Sequence, residues 1–339
     1  MKYIVSSYEY VKTSIPETWE DAALLHPASI TAPLNTKDNQ YFVANDAAYE
    51  AVYKHMGEDG DPPLSKELAE LTIDKFAARS QLKSMQDIPF SLSSNNIVDW
   101  PHDPNENLIA KPVHGTASRN VVKTKHGGSL PDIGEDYIIE KYIDDCYQRV
   151  SVDGYVCGDI IEILSTCDNM YYKDEPTKFH YLGHPSVFHN DEKLKEKYVE
   201  VVKELKEVTG CNNQLIDVEF FAVDGEFLTM EINPRILANS IPIYEKITGI
   251  NPWIFMDGLR KGVVYEANDP PQSGVVRYNY VYGSDASHIH IQHDESTFSS
   301  ISERYSHTYR TSEEGTPHAD MIRALDDEFP SETILSGQD

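Results

Sequence analysis

Residues 218–235 read VEFFAVDGEFLTMEINPR, two apolar segments joined by Asp224-Gly225. An Asp-Gly pair between alternating hydrophobic segments is a strong signal for a tight β-hairpin. Side chains that face each other across such a hairpin lie about 4.5–5.5 Å apart. The turn therefore places Glu219 close to opposite Glu231, so that two carboxylates point from one face of the hairpin.

This hairpin carries the ligands that a hard divalent cation prefers. Asn233 follows Glu231 by two residues and shares its face if the strand continues. Two carboxylates and an amide oxygen suit Mg²⁺, with Mn²⁺ as an alternative. Arg235 lies close enough to neutralise a phosphate or a carboxylate. The competing interpretation is an exposed edge with two solvated acids; the apolar neighbours argue against it, because buried carboxylates need partners.

A second segment, 108–122, reads LIAKPVHGTASRNVV. A buried strand delivers Lys111, which can hold a phosphate as a point charge. Small residues let backbone N–H groups approach phosphate oxygens closely. The segment is neither a Walker P-loop nor a dinucleotide fingerprint, and taken alone it favours an ordinary β-turn. The small residues of this loop are Gly115, Thr116, Ala117 and Ser118.

A third segment, 137–143, reads YIIEKYI. The backbone of a strand that ends here can hydrogen-bond the edge of an adenine, and its apolar side chains can pack on the ring. Taken alone, the segment is not specific for a nucleotide.

Composition limits the class of protein. The chain has 339 residues, enough for about two domains. Its formal net charge of −27 disfavours nucleic acid and anionic membrane surfaces as partners. The four cysteines form no CxxC pair and indicate no zinc site. No apolar run is long enough for a transmembrane helix, and the first residues do not resemble a signal peptide. A cytoplasmic location is expected.

Local patterns predict mixed α+β structure without regular βαβ alternation. Asp74 is expected to cap a helix, and Gly210 to end another. The segment 57–63 is expected to be a loop, and 313–339 a loosely held acidic tail. The predicted strands are 3–5, 108–110, 137–140, 149–156, 159–164, 216–223, 226–232 and 275–282, and the predicted helices are 47–55, 74–85, 191–209, 243–247 and 253–259.

Taken together, the three segments resemble the ATP-grasp superfamily over about residues 70–265. In this resemblance Lys75, next to Asp74, is similar to the first phosphate-contacting lysine, and Lys111 to the second. The glycine-rich loop comprises His114, Gly115, Thr116, Ala117 and Ser118, and the adenine-binding hinge Glu140, Lys141, Tyr142 and Ile143. The metal ligands would be Glu219, Glu231 and Asn233, and Arg235 would be catalytic.

The resemblance implies an α+β, ATP-grasp fold. In this fold two α+β subdomains clasp ATP, and a short N-terminal pre-grasp region precedes them along the chain. The expected divisions are 1–73 for the N-terminal region, 74–139 for the subdomain with the glycine-rich loop, 140–283 for the subdomain with the metal site, and 284–339 for a polar acidic extension.

The implied activity is an ATP-dependent carboxylate–amine ligase that works through an acyl phosphate and releases ADP and phosphate. Its expected substrates are small carboxylates and amines such as amino acids, and a homodimer is the expected assembly. A nucleotide-binding homologue without turnover and a small-molecule kinase of the same fold are the alternatives.

Three departures from the family pattern stand out. Gln148 or Arg149 stands where many members have a glutamate that grips the ribose, so Gln148 is the candidate for that contact. The region before Asp74 is shorter than the usual N-terminal domain. The segment 236–240, ILANS, argues against a carboxylase, and Asn239 and Ser240 are candidates for an acceptor pocket.

Overall fold

In the computed structural model, the described part of the chain contains three β-sheets. The structure describes residues 1–7, 9–56, 65–93, 97–115, 120–143, 148–170, 180–264, 273–280, 289–292, 297–301, 305–312 and 321–322. The predicted loop at 57–63 and the loop residues Thr116, Ala117 and Ser118 lie outside these ranges. No helix in the described part of the chain is long and apolar enough to cross a membrane.

The N-terminal region contains a parallel three-stranded sheet in the order β2-β1-β3. Sequence patterns predict the first strand of this sheet and the first α-helix but miss the other two strands. Asn45 caps the helix, with its side chain accepting from the Ala48 amide. The elements are β1 (Lys2–Val5), β2 (Ala22–Leu25), β3 (Gln40–Val43), α1 (Asp46–His55) and α2 (Lys66–Ile73).

An antiparallel four-stranded sheet follows, in the order β4-β7-β5-β6. Asp74 caps α3 as predicted, but the helix ends at Gln81 rather than near residue 85. The amides of Lys83 and Ser84 donate instead to the Glu204 carboxylate, so a distant side chain decides where the helix stops. The elements are α3 (Lys75–Gln81), β4 (Phe90–Ser93), β5 (Leu108–Pro112), β6 (Val122–Thr124) and β7 (Tyr137–Lys141).

A nine-stranded antiparallel sheet forms the largest layer, in the order β12-β11-β8-β9-β10-β13-β16-β15-β14. Its last three strands lie between residues 289 and 312, beyond the division expected at 283, and the division expected at 139 falls inside β7. The strands are β8 (Gln148–Cys157), β9 (Ile160–Met170), β10 (His180–His184), β11 (Gln214–Val223), β12 (Glu226–Asn233), β13 (Ser273–Tyr280), β14 (Ile289–Gln292), β15 (Thr297–Ile301) and β16 (Tyr305–Ser312).

The helix α4 (Glu192–Thr209) packs on this sheet with the face that its periodicity predicts, except that Val208, at its last turn, is 44% exposed. Asp191 caps its start, and Gly210 ends it with a positive φ of 67°. Leu194, Tyr198, Val201 and Leu205 are fully buried, and burial of each such side chain is worth about 1.5–3 kcal/mol.

Two shorter helices follow the hairpin: α5 (Ile241–Thr248) and α6 (Pro252–Arg260). Near the other end of the chain, Met321 and Ile322 are buried, at 3% and 9% exposure. At these two residues the structure differs from the loosely held tail that the acidic sequence predicts, because apolar side chains gain free energy by leaving water.

Candidate active site

The hairpin formed by β11 and β12 has the predicted turn and the predicted pairing. Asp224 and Gly225 have φ values of 51° and 82°, as a two-residue turn of this hand requires. Glu219 is the direct partner of Glu231, and a bulge follows immediately after this pair. The opposition of two carboxylates deduced from the sequence is therefore present in the structure.

A second row of acids lies beside this pair and was missed by sequence reasoning. Asp217 faces Asn233 on one side and Asp153, on β8, on the other. Asp217 is fully buried and Asp153 is 3% exposed. The Asn233 amide nitrogen donates to Asp217 Oδ2 at 2.9 Å and to Glu219 Oε1 at 3.5 Å. The alternation of Asp217 and Glu219 along one strand signals a shared face, whereas Asp153 required the register between β8 and β11.

Burial and like charge raise the pKa values of these acids. Burial, Asp217 and Glu231 raise the pKa of Glu219 to about 8. Burial raises the pKa of Asp153 to about 7, and burial together with Asp153 raises that of Asp217. The cluster is thus crowded with acids that resist simultaneous ionisation, and a divalent cation would relieve that repulsion.

The carboxylate oxygens of Glu219 and Glu231 and the amide oxygen of Asn233 are the kind of ligand that a hard cation binds. Among the described residues, no group of three or more His, Cys, Asp and Glu side chains is arranged to hold a metal ion; the proposed set combines two carboxylates with one amide. In the structure the Asn233 nitrogen faces the acids and its oxygen accepts from Arg235 at 3.3 Å. The amide would have to turn for its oxygen to join the two glutamates.

Arg235 is held by a partner from the N-terminal region. Its Nε donates to Asp46 Oδ1 at 2.6 Å, and the guanidinium is 9% exposed. Burial disfavours the charged form of Asp46, but the Arg235 guanidinium outweighs burial and lowers the pKa of this carboxyl. The first residue of α1 thus orients the predicted catalytic arginine across 189 residues of sequence, a contact that no local pattern indicates.

The two predicted phosphate lysines line the same cavity. Lys75 donates to the Gly115 carbonyl at 2.5 Å and lies 3.5 Å from Glu231 Oε1. Lys111 lies 2.6 Å from Glu140 Oε2. Burial opposes ionisation of Glu140, but Lys111 and Arg79 together lower its pKa to about 2. The Glu140 side chain is therefore occupied by ion pairs, and its backbone lies within the sheet between Phe90 and Ile109.

The hinge residues 140–143 line the same cavity as Lys111. The Lys141 side chain pairs with Glu106 at 2.7 Å, and the Tyr142 hydroxyl accepts from Lys123 at 2.5 Å. The amides of Lys141 and Tyr142 donate to backbone carbonyls within the protein. An adenine edge would therefore have to use other backbone groups at this strand end, near Ile143.

Two cavities meet between the sheets. The first is lined by Lys111 and the hinge, and the second is lined by Asp46, Asn233 and Arg235. Lys75, Pro112, Gly115 and Glu231 line both. Lys75 and Glu231 therefore stand where the two cavities join, whereas Lys111 lines the first alone, Asn233 lines the second alone, and Glu219 lines neither.

Several predicted contacts fall elsewhere. His114 lines the second cavity, where its ring lies 3.3 Å from Glu135, rather than the first. Arg149, stacked over the Phe221 ring, lines the first cavity, whereas Gln148 is not among the residues that surround it. Ser240 is fully buried and bonded to His184, so its hydroxyl is in the core and not in an acceptor pocket.

Comparison with known proteins agrees with this geometry. The family model described as ATP-grasp domain matches residues 72–239. An L-amino acid ligase from Bacillus licheniformis is 15% identical, with a TM-score of 0.62 over 96% of this chain and 97% of the other. The phosphoribosylglycinamide synthetase from Anaerococcus prevotii is 11% identical, with a TM-score of 0.61 over 96% of this chain and 97% of the other. The N5-carboxyaminoimidazole ribonucleotide synthetase from Thermotoga maritima is 12% identical, with a TM-score of 0.62 over 96% of this chain and 97% of the other. The chain shares the fold of these proteins.

Proposed function

Because the chain belongs to the ATP-grasp superfamily, we propose that it is an ATP-dependent ligase that joins a small carboxylate to an amine. The carboxylate would be phosphorylated to an acyl phosphate, and the amine would then form the amide with release of phosphate. Amino acids and small carboxylic acids are the proposed substrates. The observation that carries this proposal is the meeting of two cavities at Lys75 and Glu231, because transfer between two substrates needs both to reach one point.

The nucleotide would occupy the first cavity. Lys75 and Lys111 would bind its phosphate oxygens, and the strand end at 140–143 would face its base. Glu219, Glu231 and Asn233 would hold Mg²⁺, which supplies neutralisation of phosphate charge when bound. Phosphoryl transfer depends on positioning and charge neutralisation more than on a nucleophile from the protein, which agrees with the residues that line this cavity.

The carboxylate and the amine would occupy the second cavity. In the first step a carboxylate oxygen forms a bond to the γ-phosphorus and the bond to ADP breaks. In the second the amine nitrogen forms a bond to the acyl carbon, the bond from that carbon to the phosphate oxygen breaks, and the nitrogen loses a proton to the solvent or to the departing phosphate. Arg235 stands on the wall of this cavity, held by Asp46. Its fixed positive charge would stabilise the negative charge that develops on the transferring group.

The test is ³¹P NMR of the full chain with Mg-ATP and a pool of amino acids and small carboxylic acids. ADP and phosphate that accumulate only with the pool, and a hydroxamate formed on addition of hydroxylamine, are the expected result. AMP and pyrophosphate would overturn the mechanism, a stable phosphoester would identify a kinase, and bound but unchanged ATP would favour the homologue without turnover.

Two variants of the hairpin sharpen this test. Glu231→Gln removes one carboxylate of the junction and is expected to abolish consumption of ATP. Glu226→Gln is the matched control, because Glu226 lies at the exposed end of the same strand and pairs with Lys193. Equal activity of the two variants would contradict the assigned metal site.

A further inference from the structure

Arg79, on α3, is almost completely withdrawn from solvent and uses all three of its nitrogen atoms. Its side chain is 1% exposed. Nε donates to Glu140 Oε1 at 2.9 Å, and Nη1 donates to the carbonyls of Met85 at 2.5 Å and Thr229 at 2.7 Å. Nη2 donates to the Met230 carbonyl at 3.0 Å. Four fixed acceptors define the position of the guanidinium completely, which a flexible lysine could not reproduce.

These acceptors belong to opposite walls of the nucleotide cleft. Glu140 is on β7, in the four-stranded sheet that also carries Lys111. Thr229 and Met230 are on β12, in the nine-stranded sheet, directly before Glu231. The guanidinium therefore connects the wall that supplies a phosphate lysine to the wall that supplies the metal ligands.

Glu140 passes this constraint on to Lys111. One carboxylate oxygen of Glu140 binds Arg79, and the other lies 2.6 Å from Lys111 Nζ. Glu140 is 5% exposed and Lys111 17% exposed, so the contact is largely shielded from water. Loss of Arg79 would leave Glu140 with Lys111 as its remaining cation in this group, and the carboxylate that holds the ammonium in place would itself lose its anchor.

We propose that Arg79 is a positioning residue of the nucleotide site, which sets the place of the Lys111 ammonium through Glu140. The inference rests on the proposed function, since the bound molecule is taken to be Mg-ATP. Arg79 does not line the first cavity, but its contact with Glu140 connects it to Lys111, which does. Mutation of a residue that orients a ligand-binding group in this way typically lowers the affinity by about 10- to 100-fold.

The experiment is a double-mutant cycle measured by calorimetric titration of the full chain with Mg-ATP. Arg79→Met is expected to weaken binding by about 10- to 100-fold in the natural background. In the Lys111→Met background the same change is expected to have much less effect, because the group that it positions is gone. If the loss of affinity in the double variant equals the product of the two single losses to within about twofold, the two residues act independently and the inference is overturned.

A purely structural role would show a different pattern. Arg260→Met is the matched control, because Arg260 also donates to a backbone carbonyl, that of Tyr41, but outside both cavities. It is expected to lower thermal stability and leave Mg-ATP affinity unchanged. If Arg79→Met does not fold, Arg79→Lys carries the test: it keeps the charge, loses the four-acceptor geometry and should still weaken binding.

The possible failures are distinguishable. A natural chain that does not bind Mg-ATP overturns the proposed function and this inference with it. A natural chain that binds Mg-ATP, with a folded Arg79→Met or Arg79→Lys variant that binds equally well, overturns this inference alone.

Discussion

Binding of a divalent cation to the hairpin is expected to displace a proton from Glu219. This carboxyl is buried beside Asp217 and opposite Glu231, and burial and these two acids raise its pKa to about 8. A carboxylate must be ionised to bind a metal. At neutral pH the metal therefore competes with a proton, and the affinity should rise with pH until Glu219 is ionised.

The size of the effect follows from the position of this pKa. With a pKa of about 8, Glu219 carries about 0.9 proton at pH 7 and about 0.1 at pH 9. Metal binding should release nearly one proton at pH 7 and almost none at pH 9. The affinity should rise by about ninefold from pH 6 to pH 7 and by about fivefold from pH 7 to pH 8.

The assay is calorimetric titration of the full chain with MnCl₂ in buffers of different ionisation enthalpy, which counts the protons released. Glu219→Gln should remove the proton release together with most of the affinity. Glu226→Gln, at the exposed end of the hairpin, should retain both. Metal binding at pH 7 without proton release, or with the same release in Glu219→Gln, would refute this reasoning.

Three further changes test the site and its support. Glu231→Ala should lower turnover by orders of magnitude with little change in melting temperature, because it removes charge from the metal site; natural turnover would contradict the ligand assignment. Asp46→Asn should lower kcat by about 10- to 100-fold, because Arg235 would lose the partner that orients it. The KM for ATP should change less. A change in that KM alone would indicate that Arg235 contacts the nucleotide instead. Gly154→Ala should lower the free energy of unfolding by about 1–3 kcal/mol, measured by urea denaturation, because a Cβ atom there would collide with the Glu162 carbonyl oxygen and the Tyr198 hydroxyl; unchanged stability would show that both neighbours can move aside.

Local signals in the sequence determined the hairpin and the longest helix. Asp224-Gly225 adopts a turn whose two positive φ values suit these residue types, so the turn fixes which glutamates face each other. Asp191 and Gly210 define the ends of α4, because capping depends on neighbours within one turn of helix. Such features can be read from a few adjacent residues.

Contacts between distant residues were decided only by the tertiary structure. Arg79 and Glu140 are 61 residues apart, and Asp46 and Arg235 are 189 apart, so no pattern within one element relates them. The position of Asp153 beside Asp217 depends on the register between two strands that are separated along the chain. Register and burial arise from the packing of whole sheets, and they convert separate acids and cations into one site with shifted pKa values. The sequence thus determined which groups are available for the chemistry, and the packing decided which of them meet.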